Sequence, residues 1–404
     1  MVPKGWEKNS LDSLFEFKNG LNTEKEQYGN GYKFVNVMDV FRNDILTESK
    51  IIGRVQVTDK QLEGYQLKYG DVLFNRTSET FDEIAIAAIY LDNAIATFGG
   101  FVIRARPKGN QIDPAYSVFL FQSKSYRSQV VKLGQGAIRA NIGQKDLARV
   151  CILVPPLAEQ KKIAQILSTW DKAISVTEKL LTNSLQQKQA LMQQLLTGKK
   201  RLLNENGDRF IGEWCTCTLS EVAHIIMGSS PKSEAYNDNG LGLPLIQGNA
   251  DIKCRVSCPR VYTSDITKEC TPGDILLSVR APVGTVALSQ HKACIGRGIS
   301  AIKSKRKMSQ SFLYQWFLWF EPKWCYLSQG STFESINSDD IKTLKLSVPN
   351  FEEQQKIAAV LSAADAEIST LEKKLACLRD EKKALMQQLL TGKRRVKVDE
   401  AVAE

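Results

Sequence analysis

Loops rich in hydrogen-bonding side chains recur in both halves of this 404-residue chain. The motif GDVLF at 70–74 and its counterpart GDILL at 273–277 are each followed by arginine and hydroxyl side chains. Arginine, asparagine, glutamine, serine and threonine donate hydrogen bonds to phosphates and to base edges, so these loops are candidates for a nucleic-acid surface. A solvated loop or turn is the alternative role for each residue. The candidates are Asn36, Arg76, Thr77, Ser78, Arg139 and Asn141 in the first half, and Gln247, Asn249, Ser278, Arg280, Ser331 and Thr332 in the second half.

Sequence motifs for covalent chemistry are missing. No GxxxxGK[ST] phosphate loop occurs. The stretch VPPL at 154–157 has valine where an adenine methylase needs asparagine. His224 and His291 are the only histidines and have no triad context. We therefore predict no catalytic residue in this chain.

Cysteine spacing leaves a zinc site open as an alternative. The first half has no counterpart of the cysteine-rich second half, and the spacing fits no common zinc pattern, so we predict no metal site. The zinc alternative would use Cys215, Cys217, Cys254, Cys258, Cys270 and Cys294.

Composition and charge restrict the classes of protein to which this chain can belong. The net charge of +10 favours a polyanionic partner. Nine cysteines without scaffold spacing fit reduced thiols. The N-terminus lacks an apolar signal segment, and no apolar run reaches the roughly 20 residues of a bilayer span. We expect a cytoplasmic protein without a membrane partner.

The elements that must position the loops are duplicated. Residues 155–201 align without a gap on 349–395, with 26 identities in 47 positions. The sequence ALMQQLLTGK occurs identically at 190–199 and 384–393. Because solenoid repeats are only about 20–50 residues long, the offset of 194 residues indicates a duplicated half-molecule.

Each copy predicts one long helix. Pro155, Pro156 and Pro349 cannot lie inside a helix, so the helices should begin just after them. Gly198 and Gly392 can take the left-handed conformation that ends a helix. The basic residues that follow each glycine face the negative end of the helix dipole.

Apolar residues in both helices follow a heptad pattern. Two such helices favour antiparallel pairing into a coiled coil, and 163–195 would be about 48 Å long. A long helix packed on a globular core is the alternative. With full overlap, Lys382 would face Trp170 in a cation–π contact and Lys188 would face Ala364. The predicted seam positions on the first helix are Ile163, Leu167, Trp170, Ile174, Thr177, Leu181, Ser184, Lys188, Leu191 and Leu195; those on the second are Ile357, Leu361, Ala364, Ile368, Leu371, Leu375, Leu378, Lys382, Leu385 and Leu389.

The predicted fold class is α+β, with an internal pseudo-twofold duplication. Two mixed α/β globular domains with small sheets are joined by the antiparallel coiled coil. The predicted segments are a first globular domain at 1–154, spacer helix 1 at 155–201, a second globular domain at 202–348, and spacer helix 2 with a C-terminal tail at 349–404.

This pattern resembles the specificity subunit of type I restriction–modification enzymes over the whole chain. Segments that fit the motifs GDxL, QG…I..DL and P…EQxKIA follow in this order in both halves, with isoleucine at the last position of the second motif in the second half, and each set comes with a heptad helix ending in LLTGK. The resemblance implies that the globular domains are target-recognition domains. Each would read one half of a bipartite, asymmetric site in double-stranded DNA, and the helices would set the unread gap.

The resemblance also implies partners. Two methylase subunits would bring S-adenosylmethionine, and restriction subunits would join for ATP- and Mg-dependent cleavage. The chain itself would be non-catalytic and hold no cofactor. Its methylase-docking candidates are Gln193, Gln194, Gln387 and Gln388. From another class, a coiled-coil protein–protein scaffold with two peptide-binding end domains remains an alternative, and a self-sufficient nuclease or methylase is disfavoured by the missing motifs.

Overall fold

The computed structural model describes residues 2–136, 138–324 and 335–398. The chain divides into two compact units, residues 1–178 with 374–404 and residues 179–373. Each unit therefore contains one globular domain and parts of both long helices. The division cuts the helices, whereas the four predicted segments separate them from the globular domains, so those segment bounds stay a prediction.

The first unit contains a five-stranded sheet in the order β2-β10-β6-β8-β4 and a three-stranded sheet in the order β5-β3-β9. Two short pairs, β1-β12 and β7-β11, complete it. The strands are β1 (Glu7–Ser10), β2 (Phe15–Asn19), β3 (Tyr28–Val35), β4 (Ile45–Leu46), β5 (Arg54–Val55), β6 (Val72–Asn75), β7 (Thr77–Ser78), β8 (Ala87–Tyr90), β9 (Ala96–Phe98), β10 (Val102–Pro107), β11 (Ala140–Asn141) and β12 (Cys151–Val154). The helices are α1 (Leu11–Leu14), α2 (Val37–Arg42), α3 (Asp59–Tyr65), α4 (Pro114–Leu120), α5 (Lys124–Leu133), α6 (Gln144–Ala148) and the start of α7 (Leu157–Leu195).

The second unit repeats this plan. Its main sheet has the order β14-β24-β21-β22-β18-β17, and its second sheet has the order β15-β19-β16-β23-β20. The strands are β13 (Cys215–Thr218), β14 (Ala223–Met227), β15 (Tyr236–Asn237), β16 (Leu243–Ile246), β17 (Ile252–Lys253), β18 (Val256–Ser257), β19 (Val261–Thr263), β20 (Glu269–Cys270), β21 (Ile275–Ser278), β22 (Val286–Leu288), β23 (Ala293–Ile295), β24 (Ile299–Ser304) and β25 (Lys345–Val348). The helices are α8 (Leu219–Val222), α9 (Gln310–Phe320), α10 (Ser338–Lys342) and the start of α11 (Phe351–Leu389).

The central strand of each main sheet is buried on both faces. In β6, Val72 and Phe74 enter one hydrophobic core and Leu73 enters another. In β21, Ile275 and Leu277 likewise enter one core while Leu276 enters a second. This alternation follows from the two-residue period of a strand, and it explains why the motifs GDVLF and GDILL are almost wholly apolar after their aspartate.

The long helices begin and end where proline and glycine predict. Helix α7 begins one residue after Pro156, and α11 begins two residues after Pro349. Gly198 and Gly392 have φ values of +70° and +68°, the left-handed conformation of a helix C-terminus. This prediction is confirmed.

The predicted seam positions are turned away from solvent along both helices. All twenty predicted seam positions are buried or half-buried. In the first unit, Arg379 donates to Glu178 at 2.6 Å. In the second unit, Ser184 donates to Glu367 at 3.2 Å. A second contact in each unit, Asp171 with Lys382 in the first and Lys188 with Asp365 in the second, shows that one helix ascends in residue number as its partner descends, so the helices pack antiparallel within each unit.

The predicted cation–π contact between Lys382 and Trp170 is wrong. The ammonium of Lys382 pairs instead with the Asp171 carboxylate and lies 5.4 Å from the centre of the Phe119 ring. In the other unit, Lys188 pairs with the Asp365 carboxylate. The lysines that interrupt the seam are therefore neutralised by an aspartate one residue beyond the position predicted to face them.

A bidentate ion pair anchors the start of each long helix. In the second unit, Arg201 donates through Nε and Nη2 to the two carboxylate oxygens of Glu353, both at 2.7 Å. In the first unit, Arg395 donates in the same way to Glu159 at 2.7 and 2.8 Å. Hydrogen bonding to Glu353 raises the pKa of Arg201. Charge-assisted forks of this kind are among the stronger protein hydrogen bonds.

Replacing Arg201 with methionine should destabilise the chain strongly. The Glu353 side chain is 0% exposed, so Arg201→Met leaves a buried carboxylate without its cation. We expect the free energy of unfolding, measured by urea denaturation followed by circular dichroism, to fall by about 3–5 kcal/mol. The matched variant Arg209→Met, at an exposed arginine, should change it by less than about 0.5 kcal/mol. Equal effects of the two variants would refute the anchoring role.

A double-mutant cycle should locate the partner of Lys382. Lys382→Met and Asp171→Asn are expected to show a coupling energy of about 0.5–1 kcal/mol in urea denaturation, because their side chains form a partly exposed ion pair. The parallel cycle with Trp170→Leu should give a coupling near zero. A larger coupling to Trp170 than to Asp171 would contradict the observed register.

Candidate nucleic-acid interface

Two of the predicted loops meet in the first unit. Strands β7 and β11 pair antiparallel, so that Thr77 lies opposite Asn141 and Ser78 lies opposite Ala140. The loops after GDVLF and around 139–141, predicted separately from the sequence, are thus one local structure. Asn141 is exposed, and its amide nitrogen donates to the Arg139 carbonyl at 3.0 Å.

The main chain of Arg76 is fixed while its side chain is exposed. Its N–H donates to the Phe101 carbonyl at 2.9 Å, and its carbonyl accepts from the Ile142 N–H at 3.0 Å. The guanidinium carries no hydrogen bond to a described residue and is exposed. Arg139 is exposed as well. Both cations are therefore available to a solvent-borne anion.

A carboxylate fixes the backbone of an amide residue in each unit. The Asn36 N–H donates to Asp39 Oδ2 at 2.8 Å, and the Gln247 N–H donates to Asp251 Oδ2 at 2.8 Å. Burial raises the pKa of the Asp39 carboxyl, and the hydrogen bond from Asn36 opposes that shift. Asn36 and Gln247 themselves are exposed. Each unit thus holds an amide side chain on a rigid backbone.

The second unit places three of its predicted residues around a cavity of about 420 Å³. Gln247, Asn249 and Arg280 line this cavity, called here the second cavity, together with Ser230 and Arg297. A smaller cavity of about 150 Å³ in the first unit is lined in part by Asn22, Asn36, Gly100 and Phe101. The polar groups of these linings can donate to and accept from a ligand, but among the described lining residues no nucleophile is paired with a general base.

Ser78 and Ser278 do not face the solvent, and this corrects their assignment to a binding surface. The Ser278 side chain is 0% exposed; its hydroxyl donates to the Pro282 carbonyl and accepts the Thr285 N–H, both at 2.8 Å. Ser78 is buried, and its hydroxyl donates to Glu83 at 3.2 Å. Their hydroxyl groups shape turns beneath the surface.

Other predicted positions have different outcomes. Ser331 and Thr332 lie outside the described residues. Gln193, Gln194, Gln387 and Gln388 are exposed near the ends of α7 and α11, and Gln193 accepts from the Trp319 indole at 3.3 Å. Their docking role stays a prediction.

Sequence reasoning missed Asn22, Ser230 and Arg297. The available signal was the resemblance between GGFV at 99–102 and GRGI at 296–299, each directly after a short apolar strand. Without the strand pairing that resemblance is too short to be noticed.

Within the described ranges, no group of three or more histidine, cysteine, aspartate or glutamate side chains is arranged to hold a metal. The six cysteines of the zinc alternative therefore find no such cluster there. None of the helices in this part of the chain is both long and apolar enough to cross a membrane.

Two globular domains with polar loops and two long paired helices define a class of two-domain DNA-specificity proteins, and comparison with known proteins identifies the family. The family model for the type I restriction modification DNA specificity domain matches residues 3–187 and 211–378, and the chain belongs to this family.

Individual relatives agree. The chain is 32% identical to the putative type I restriction enzyme MjaX specificity subunit of Methanocaldococcus jannaschii, over 98% of this chain and 95% of the relative. It is 26% identical to the MjaVIII specificity subunit of the same organism, over 73% of this chain and 74% of the relative. The fold is similar to the crystal structure of a type I S subunit from M. genitalium, with a TM-score of 0.61, 16% identity and coverage of 96% of each chain.

Substitutions at Ser278 and Arg280 should separate folding from surface function. Ser278→Ala removes a hydroxyl that makes two internal hydrogen bonds, so we expect the free energy of unfolding to fall by about 1–2 kcal/mol. Arg280 is exposed, and Arg280→Ala should change it by less than about 0.5 kcal/mol. Urea denaturation of the two variants measures the difference, and a reversed order would contradict these assignments.

Proposed function

We propose that this chain is the DNA specificity subunit of a type I restriction–modification complex. Membership in the specificity-domain family is the observation that carries the proposal. On this proposal, each globular domain reads one half of a bipartite, asymmetric site. The protein is non-catalytic and cytoplasmic, and it acts only within its complex.

The surface proposed to meet DNA consists mainly of exposed donors held on fixed backbone. Asn36, Arg76, Arg139 and Asn141 would serve the first domain, and Gln247, Arg280 and the half-buried Asn249 the second. Thr77, beside Asn141 in the β7–β11 pair, is half-buried and would contribute its hydroxyl at the edge. Arginine positions protein on phosphate and reads guanine, whereas amides read adenine, so this set suits both tasks.

The paired helices are proposed to set the distance between the two half-sites. Readers on one face of a duplex must be separated by about one turn, roughly 34–36 Å, or by a multiple of it. A helix of 39 residues is about 58 Å long, enough for a tilted spacer to satisfy this condition.

Partner subunits would supply the chemistry. Two methylase subunits would bring S-adenosylmethionine, and restriction subunits would bring the ATP- and Mg-dependent activity. Gln193 and Gln194 on α7, with Gln387 and Gln388 on α11, are exposed at equivalent places in the repeat and are proposed as part of the methylase-docking surface.

The test is the methylation pattern of cells that carry the full chain with its cognate methylase. Long-read detection of methyladenine should reveal a two-part motif with an unread gap, and the motif should vanish when the chain is omitted. Because Arg76 and Arg280 belong to different domains, Arg76→Ala and Arg280→Ala should each weaken binding of the complex to this site by about 1–3 kcal/mol.

The exposed Arg209, in the segment that follows α7, provides a matched control, and Arg209→Ala should leave the motif and the affinity unchanged. Methylation that does not depend on the chain would reject the proposal and favour the peptide-binding scaffold.

A further inference from the structure

Strand pairing identifies two pairs of equivalent positions in the two domains. In the first, β3 runs parallel to β9 with Val35 opposite Phe98; in the second, β16 runs parallel to β23 with Ile246 opposite Ile295. Two residues beyond Phe98 and Ile295 lie Gly100 and Arg297. On the neighbouring segment, the Leu21 N–H donates to the Phe98 carbonyl at 2.9 Å and the Ser229 N–H donates to the Ile295 carbonyl at 3.0 Å. Asn22 and Ser230, the next residues, are therefore equivalent.

At these equivalent positions, the two domains place their long polar side chain on different segments. A Cβ atom at Gly100 would lie only 2.1 Å from Asn22 Oδ1, so the Asn22 amide occupies the space that a side chain at position 100 would need. In the second domain the shorter Ser230 leaves that space to Arg297. Its hydroxyl accepts from the Arg297 N–H at 3.3 Å and from Arg297 Nε at 3.0 Å. One place on the fold thus presents an amide in the first domain and a guanidinium in the second.

Ser230 orients the Arg297 guanidinium but leaves its two Nη groups available for a ligand. The contact uses Nε, and among the residues that the structure describes none accepts a hydrogen bond from the two Nη groups of Arg297. The side chain is exposed and lines the second cavity beside Gln247 and Arg280. No carboxylate occurs in the described lining of that cavity. Among the described residues, neither Arg280 nor Arg297 has a salt-bridge partner, and two such arginines suit an electronegative ligand.

The geometry points to guanine as that ligand. A guanidinium held by Nε offers two N–H donors in a fixed fork, which matches O6 and N7 of guanine in the major groove. The amide of Asn22 offers one donor and one acceptor, which matches N6 and N7 of adenine.

We propose that Arg297, positioned by Ser230, reads a guanine in the half-site of the second domain. The pairs Asn22/Gly100 and Ser230/Arg297 then set one base on which the two half-sites differ. This inference rests on the proposed function of the chain as a DNA specificity subunit.

The experiment compares methylation motifs of the full complex carrying wild-type chain, Arg297→Ala or Arg297→Gln. Arg297→Ala should make one guanine of one half-site degenerate, with discrimination there falling roughly 5- to 150-fold. Arg297→Gln keeps a long side chain with amide chemistry and should shift that position towards adenine. The other half-site should stay unchanged in both variants.

Two further variants separate positioning from general effects. Ser230→Ala keeps the guanidinium but frees it, so it should relax the same base to a smaller extent. Arg306, exposed beyond the other end of β24, provides the matched control, and Arg306→Ala should leave the motif intact.

The outcomes distinguish the inference from the proposed function. An unchanged motif with Arg297→Ala would overturn guanine reading while leaving the specificity function in place. A uniform loss of affinity for all sites, with a shallower dependence on salt, would identify a phosphate contact and also overturn it. Absence of any chain-dependent motif with the wild-type protein would reject the proposed function itself. Circular dichroism of both Arg297 variants checks folding. If Arg297→Ala does not fold, the methylation motif with Arg297→Gln decides the test.

Discussion

The structure depends on a buried carboxylate in the first turn of each long helix and on the arginine that neutralises it. Glu159 lies in the first turn of α7, but its partner Arg395 follows the end of α11. Glu353 lies in the first turn of α11, but its partner Arg201 follows the end of α7. Each fork therefore ties the start of one helix to the end of the other. Burial of a charge is costly unless it is paired and fully hydrogen-bonded, and here both carboxylate oxygens are bonded to one arginine.

Neighbouring side chains join the globular domain to the same anchor. The Trp6 indole donates to Glu159 at 3.0 Å, and Gln160 accepts the Asp113 N–H at 2.8 Å while its amide donates to the carbonyls of Gln111 and Pro155. Gln354 makes the equivalent bonds to Ser309, Lys307 and Pro349 in the second unit. The sequence identity between 155–201 and 349–395 thus includes the residues that bond each long helix to its partner helix and to its globular domain.

The long helices could be predicted from the sequence more fully than the surface residues. Proline, left-handed glycine and heptad spacing are local signals, so the bounds of α7 and α11 and their seam could be predicted. Ser278 shows where local signals end: a hydroxyl after an apolar strand has the same appearance in sequence whether it faces solvent or closes a turn. The partner of Lys382 depended on a shift of one residue between two helices, which spacing alone does not determine.

The local sequence did not single out Arg297 either, and on the proposed function its position would explain how one fold can acquire a second target. The backbone around it is fixed by strand pairing, and the change from Asn22/Gly100 to Ser230/Arg297 exchanges exposed atoms without adding a buried charge. Substitutions at such exposed positions cost little stability, whereas those at the buried Ser278 disturb a turn. A duplicated domain can therefore diverge at its rim while the sheet and the helix anchor beneath it stay the same.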